Sequence, residues 1–524
     1  MGPLFWLGCL AWLLVQVMCA KVEVHHGHGV VKNTYTVHGT TSHRWAWWTE
    51  HTMLQPLDHY DNSTQATFEQ RYFVFMDQYR AGAQKRRKLD GKDVVPVFVY
   101  DGGEDSISSF PHVLPYTIFP AIWNATGGIG IALEHRYYGQ SKPRLSELGH
   151  SDHWGTDQLQ WLTLRQSLAD SARFLRQVQL EGVPRDAELR FIYYGSSYAG
   201  ARAAFMRTLY PDLVFGAISS SGVVHAIDAL PQYSDAIVQG TPPTCIAAID
   251  TAIRALDALL TTDDGRLHAL LYVANVSRKG SVRDVANAFA SVLGLFQGQS
   301  WIVPKAMNPW HAFCARLTDP AQAEQLRRAF PDQIRTLADV PMELLMYAYA
   351  LRSMDRSTGF TNIDGDMQCF REDHGTLTSS KAWTYQTCTE FGFFQVASSS
   401  GPRLMSLLLS HDYFTKPCRE GFVQGVHAIP TAPNTTAVNA FGGLDLSMDR
   451  LAFLDFEYDP WLPVTVHGGA ERRDTLQRPY KWVANCWHAC DMMAYPQSLG
   501  SEPRRIQALH HDMLAFISAW LTST

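Results

Sequence analysis

A serine set among small neighbours, Gly195-Ser196-Ser197-Tyr198-Ala199-Gly200, follows the apolar run Leu189–Tyr194 and precedes an alanine-rich stretch, Ala199–Tyr210. The pattern G-x-S-x-small at a strand-to-helix turn holds a serine in a strained conformation with its hydroxyl outward. Ser197 is therefore the candidate nucleophile. The following helix start helps, because its free amides and dipole stabilise developing negative charge. Such a serine needs a base, and the base needs an acid to orient it. Asp459, in Glu457-Tyr458-Asp459-Pro460-Trp461, lies just past the run Leu451–Phe456. His488, in Asn485-Cys486-Trp487-His488-Ala489-Cys490-Asp491, lies beyond the last strand-like run. The order Ser, Asp, His and the position of each after a run both fit a hydrolytic triad. Asp455 is the rival acid, but it falls inside its apolar run. His411, His467, His510 and His511 are rival bases. His467 follows Asp459 too closely to occupy the next strand's loop, and His510 and His511 fall on a closing helix, where a surface role is expected.

Positioning these groups requires strands buried on both faces, whose signature is a continuous run of β-branched and aromatic residues. Val94–Tyr100, Ile129–Leu133 and Leu189–Tyr194 are such runs, and Phe68–Met76 alternates as a half-buried strand would. Leu162–Leu180 places Leu164, Leu168, Ala172 and Leu175 on one stripe, which predicts an amphipathic helix. Strand and helix alternation predicts an α/β fold with a mostly parallel sheet and crossover helices, its functional loops at the strands' C-terminal ends. Residues 226–434 read differently. They are rich in Ala and Leu, with helical periodicity over Ile246–Leu260, Val282–Leu295 and Ala321–Tyr349, and predict a mostly helical insertion. Strand signals return at Leu451–Phe456, Trp461–Val466 and Lys481–Asn485, before a closing helix Arg504–Leu521. The hydrolase part thus spans 51–225 and 435–524, with 226–434 as a cap between them.

The remaining features bound the setting. Among 524 residues, 44 Lys and Arg face 50 Asp and Glu, a formal charge of −6. That balance gives no reason to expect nucleic acid, whose binding rests on clustered positive charge. The 21 His would raise the charge in an acidic compartment. The apolar run Leu4–Met18, ending in Met18-Cys19-Ala20, reads as a secretory signal peptide over residues 1–20. Residues 21–50 read as a flexible segment. Asn62, Asn124, Asn275 and Asn434 head Asn-x-Ser/Thr triplets and are candidate glycosylation sites. Seven of the nine cysteines follow residue 240, an odd number, and no Cys-x-x-Cys pair exists. Disulfides bracing a late insertion are expected, and Cys486 and Cys490, which bracket His488, could bridge each other. No metal or other cofactor is implied.

Several stretches carry a resemblance: Gln55-Pro56-Leu57-Asp58-His59-Tyr60, Thr67-Phe68-Glu69-Gln70-Arg71-Tyr72, Glu134 to Ser141 (EHRYYGQS), Gly195 to Gly200, Trp383 to Glu390 (WTYQTCTE) and Asp459-Pro460-Trp461. With them the chain resembles the peptidase family of lysosomal prolyl carboxypeptidase, dipeptidyl peptidase II, thymus-specific serine protease and the secreted prolyl endopeptidases of fungi. The resemblance implies an α/β-hydrolase fold with Ser197, Asp459 and His488 as nucleophile, acid and base. It also implies peptide substrates cut after proline, and a Cys388–Cys418 bridge. The family usually has Gly-Gly-Ser-Tyr-Gly-Gly at the turn, where this chain has Gly-Ser-Ser-Tyr-Ala-Gly. In the mechanism these parts suggest, the amides of Tyr198 and Gly103 hold the oxyanion. Trp461 walls the proline pocket or simply packs beneath the loop. Glu104 binds a substrate amino terminus or, as the favoured reading, pairs with a nearby Arg. The cap restricts access, and a homodimer is left open. Competing readings are an esterase or lipase on the same fold, and an inactive secreted binding glycoprotein.

Overall fold

The apolar runs form the centre of a nine-stranded sheet. The structure is a computed structural model and describes residues 48–81, 87–149, 152–262, 265–276, 280–353, 371, 373, 375–495 and 501–522. The strands are β1 (Trp48–Pro56), β2 (Thr67–Phe75), β3 (Arg87–Leu89), β4 (Lys92–Asp101), β5 (Ile129–Leu133), β6 (Glu188–Ser196), β7 (Val214–Ser220), β8 (Ile227–Ala229), β9 (Gly392–Phe394), β10 (Leu451–Phe456) and β11 (Tyr480–Val483). Their order across the main sheet is β1-β2-β5-β4-β6-β7-β10-β11, with β3 paired to β4; β8 and β9 form a separate parallel ribbon. From β5 onward along that path every pairing is parallel, while β1–β2 and β2–β5 are antiparallel. Every residue of β5 and β10 is buried, as continuous apolar strands in a covered parallel sheet must be.

Helix Leu164–Gln177 forms where the stripe predicts it. Thr163 starts it by accepting the Gln166 amide, and Leu164, Leu168, Ala172 and Leu175 turn inward. Between β7 and β10 the chain leaves the main sheet and builds many of the molecule's helices. Helices Pro243–Leu260 and Pro309–Thr318 are tied by Cys245–Cys314. The Cys388–Cys418 bridge forms as well, and Cys486–Cys490 closes the His488 loop. Residues 1–47 and Cys369 lie outside the described residues, so the signal-peptide reading does too. Asn62, Asn124, Asn275 and Asn434 are all exposed. No described helix is long and apolar enough to cross a membrane.

Several expectations are corrected. Ala321–Tyr349 is not one helix but three, Pro320–Ala329, Pro331–Thr336 and Met342–Arg352, because Pro331 and Pro341 lack the amide that would continue the ladder. Val282–Leu295 is α-helical to Ala290, tightens to a 3₁₀ turn over Ser291–Leu293 and resumes as α-helix in Gly294–Gln297. Trp461–Val466 is no strand. Pro460 and Pro463 cannot donate to a ladder, and the segment folds into short 3₁₀ turns, Leu462–Val464 and Val466–Gly468. β1 begins at Trp48, inside the stretch read as flexible; it is a mostly exposed edge strand, so burial imposes no alternation on it.

Candidate active site

The turn after β6 is the strained element the sequence calls for. Ser197 has φ 58° and ψ −127°, a region that a residue with a Cβ rarely enters. A Cβ on Gly195 would lie 2.0 Å from the Ala199 carbonyl oxygen, and one on Gly200 would lie 2.8 Å from that of Ser220. Only glycine fits at these approaches. Ala199 is accommodated because it faces Gly103: a Cβ there would sit 3.1 Å from the Ala199 methyl. Helix Tyr198–Leu209 starts directly after Ser197, so the Tyr198 amide is the first of its unpaired N–H groups.

Asp459 and His488 meet. Asp459 is fully buried just past β10, and both its oxygens lie 2.9 Å from His488 Nδ1. The Trp461 amide donates to the same carboxylate at 3.0 Å. His488 Nε2 is buried with no described protein partner. Burial alone would lower the imidazole's pKa. The Asp459 carboxylate, by charge and hydrogen bond, with added pull from Glu104 and Asp455, sets it above the ordinary value.

The tip of β7 ties this pair to the serine turn. Ser197 N–H donates to the Ser220 carbonyl at 2.9 Å, and the Ala489 amide donates to Ser221 Oγ at 2.9 Å. Adjacent residues therefore hold the two loops. Ser220 Oγ and Tyr194 Oη both donate to the buried Asp491, three residues after His488. The loop also rests on Asn485 and Ala489 at positive φ and on Trp301, whose indole donates to the Cys490 carbonyl at 2.9 Å. Sequence reading missed Ser220, Ser221 and Tyr194; the serine run closing β7 was the available signal.

The rivals are accounted for by their own partners. Asp455 and His467 pair with each other at 2.6 Å, and Tyr480 stacks on the imidazole at 3.7 Å between centroids. His510 is not on the surface. It is fully buried between Glu502 and the Asp491 carbonyl, because the closing helix turns that face onto the sheet. His411 pairs with Asp228 on a half-exposed face, and His511 is exposed.

Two pocket expectations change, and of the two readings of Trp461 one fits. The Gly103 amide is already used, donating to Asp101 Oδ1 at 2.9 Å, so it is no free oxyanion donor. Trp461 is only 1% exposed. Its indole donates to Gln297 at 3.0 Å, and Tyr233 and Phe393 meet its ring edge-on. It locks the acid's loop onto the insertion rather than walling an open cleft. Glu104 has no Arg, Lys or His within ion-pair distance among the described residues; the Arg71 guanidinium is taken by Glu134. Burial pushes the Glu104 carboxyl up to about 7; its own amide and His488 pull it down, while Asp105 and Asp101 push it further up. Among the described residues no group of three His, Cys, Asp or Glu could hold a metal ion.

A parallel sheet in this order, a strained serine turn after β6 and a carboxylate–imidazole pair beyond β10 and β11 define an α/β hydrolase. The family model for serine carboxypeptidase S28 matches residues 55–501, and the chain belongs to this family of serine peptidases. An Arthroderma benhamiae protein named "Probable extracellular serine carboxypeptidase" is 28% identical over 510 residues, covering 90% of this chain and 68% of its own. Mouse thymus-specific serine protease is 28% identical over 454 residues, covering 84% and 81%. Among solved structures, the peroxisomal α/β-hydrolase Lpx1 of Saccharomyces cerevisiae aligns with a TM-score of 0.35 at 9% identity, covering 91% of this chain and 89% of that one.

Proposed function

We propose that this serine peptidase cuts peptide bonds after proline through an acyl-enzyme on Ser197. His488 Nε2 takes the Ser197 proton as Oγ attacks the scissile carbonyl, and Asp459 holds the ring and stabilises the imidazolium. The tetrahedral oxyanion is met by the Tyr198 amide at the helix start. His488 then protonates the leaving amine, and water, deprotonated by the same imidazole, releases the acyl group. The observation that carries this reading is the His488 imidazole, held at Nδ1 by both Asp459 oxygens in a loop that the β7 tip ties to the Ser197 turn.

The disulfides, the exposed Asn-x-Ser/Thr sites and the N-terminal apolar run support a secreted or lysosome-like glycoprotein. The preference for proline rests on the family resemblance. The test is digestion of a mixed peptide library between about pH 4 and 7, with Ser197→Ala as control. Products ending in proline are expected, and their termini read exo or endo cleavage. Cleavage indifferent to proline removes the specificity, and an active Ser197→Ala removes the nucleophile.

A further inference from the structure

Tyr198 is fully buried, and its hydroxyl sits in a chain of hydrogen bonds whose directions can all be assigned. His135 Nδ1 lies 2.7 Å from the Arg136 carbonyl, which can only accept, so Nδ1 carries the ring proton. Burial first, and then the neighbouring Arg202, push His135 well below the ordinary imidazole range, so the ring is neutral and Nε2 is an acceptor. Tyr198 Oη, 3.0 Å from Nε2, must then donate to it. The Tyr198 oxygen in turn accepts from Gln386 Nε2 at 3.0 Å, and Gln386 Oε1 accepts from Tyr138 Oη at 2.6 Å. The chain runs from Tyr138 through Gln386, Tyr198 and His135 to a backbone carbonyl. All four side chains are buried, so no water can substitute for a lost link without a cavity opening.

Gln386 ends helix Ser379–Gln386 of the insertion, 188 positions from Tyr198. Trp383 from that helix and Phe391 just beyond it pack on the Tyr198 ring, with centroids 5.2 and 5.3 Å away. One residue therefore carries both the amide that starts the helix after Ser197 and a side chain anchored in the insertion. We propose that Gln386 is a positioning residue: through the Tyr198 hydroxyl it fixes the direction of the Tyr198 amide, so that the oxyanion donor is set only when the insertion is docked. The proposal rests on the reading of Ser197 as nucleophile and the Tyr198 amide as oxyanion donor. Loss of the anchor frees the first turn of the helix, and misplacement of about 1 Å can cost up to about 100-fold in rate.

The test uses the full chain with Gln386→Leu and Tyr198→Phe; the latter removes one oxygen and keeps the amide. Steady-state kinetics, melting temperature, and inhibition by a peptidyl boronic acid and by a product peptide are compared with the parent. The boronic acid forms a tetrahedral adduct on serine with an oxygen at the oxyanion position. Expected in both variants is a fall in kcat of about tenfold or more, KM within about twofold, and boronic acid inhibition weakened by a similar factor with product binding kept. Parent-level kcat with only a lower melting temperature overturns the proposal, and Tyr198→Phe decides it if Gln386→Leu does not fold. Ser197→Ala in the same series separates the two readings: a variant that still hydrolyses overturns the nucleophile and this proposal with it, whereas an inactive Ser197→Ala beside parent-level kcat in the other two variants overturns the positioning alone.

Discussion

Two imidazole–carboxylate pairs grow from the same end of the sheet, and they differ in what surrounds them. Asp455 lies within β10 and holds His467 through one oxygen, with the ring stacked on Tyr480. Asp459 lies three residues past that strand and holds His488 through both oxygens, in a loop braced against the β7 tip that also holds Ser197. The chemistry of the two pairs is the same. The comparison teaches that burial does not separate the pairs, since both imidazoles are almost wholly covered; what sets the second apart is that its loop is tied to the strand tip that also holds Ser197.

The largest effects should fall on the Asp459–His488 pair and its serine. Ser197→Ala should lower kcat by about 10⁴-fold or more and abolish labelling by a fluorophosphonate probe. Asp459→Asn should cost about 10⁴-fold, since the amide cannot fix the ring tautomer. It should also move the pH profile. His488 must be unprotonated to act, so parent kcat/KM should rise with pH through a midpoint above the ordinary imidazole value, and loss of Asp459 should move that midpoint down. The Asp455–His467 pair should behave oppositely. His467→Leu leaves Asp455 buried without its partner and should cost about 3 kcal/mol in chemical denaturation. Activity of the fraction that folds should stay within about tenfold and probe labelling should persist. A triad-sized loss of activity in His467→Leu would erase the distinction between the pairs. The smallest effect is expected for Glu104→Gln, which removes one of the charges raising His488; the acidic limb should shift slightly to lower pH.

What the sequence made legible follows the same division. β5 and β10 sit where their continuous apolar runs predict, because burial on both faces leaves a pattern that neighbours do not alter. The Ser197 turn was legible because its glycines meet backbone at distances no Cβ tolerates. β1 was hidden, since an exposed edge strand needs no apolar alternation. His510 was misjudged, and Trp461 left between two readings, because their surroundings come from distant segments: Glu502 and the Asp491 carbonyl for one, Tyr233 and Phe393 for the other. The Gly103 amide was misassigned because its acceptor, Asp101, is a side chain two residues away that also takes bonds from Tyr193 and Arg202.

The contact between Gly103 and the Ala199 methyl couples how these two positions can drift over evolutionary time. Gly103 also has φ 57°, so a side chain there meets both a steric and a conformational barrier. Mutational freedom is accordingly lopsided. The fifth residue of the serine turn can alternate between alanine and glycine while the distant loop stays fixed, whereas enlarging the loop position would require both a glycine opposite and a rebuilt backbone.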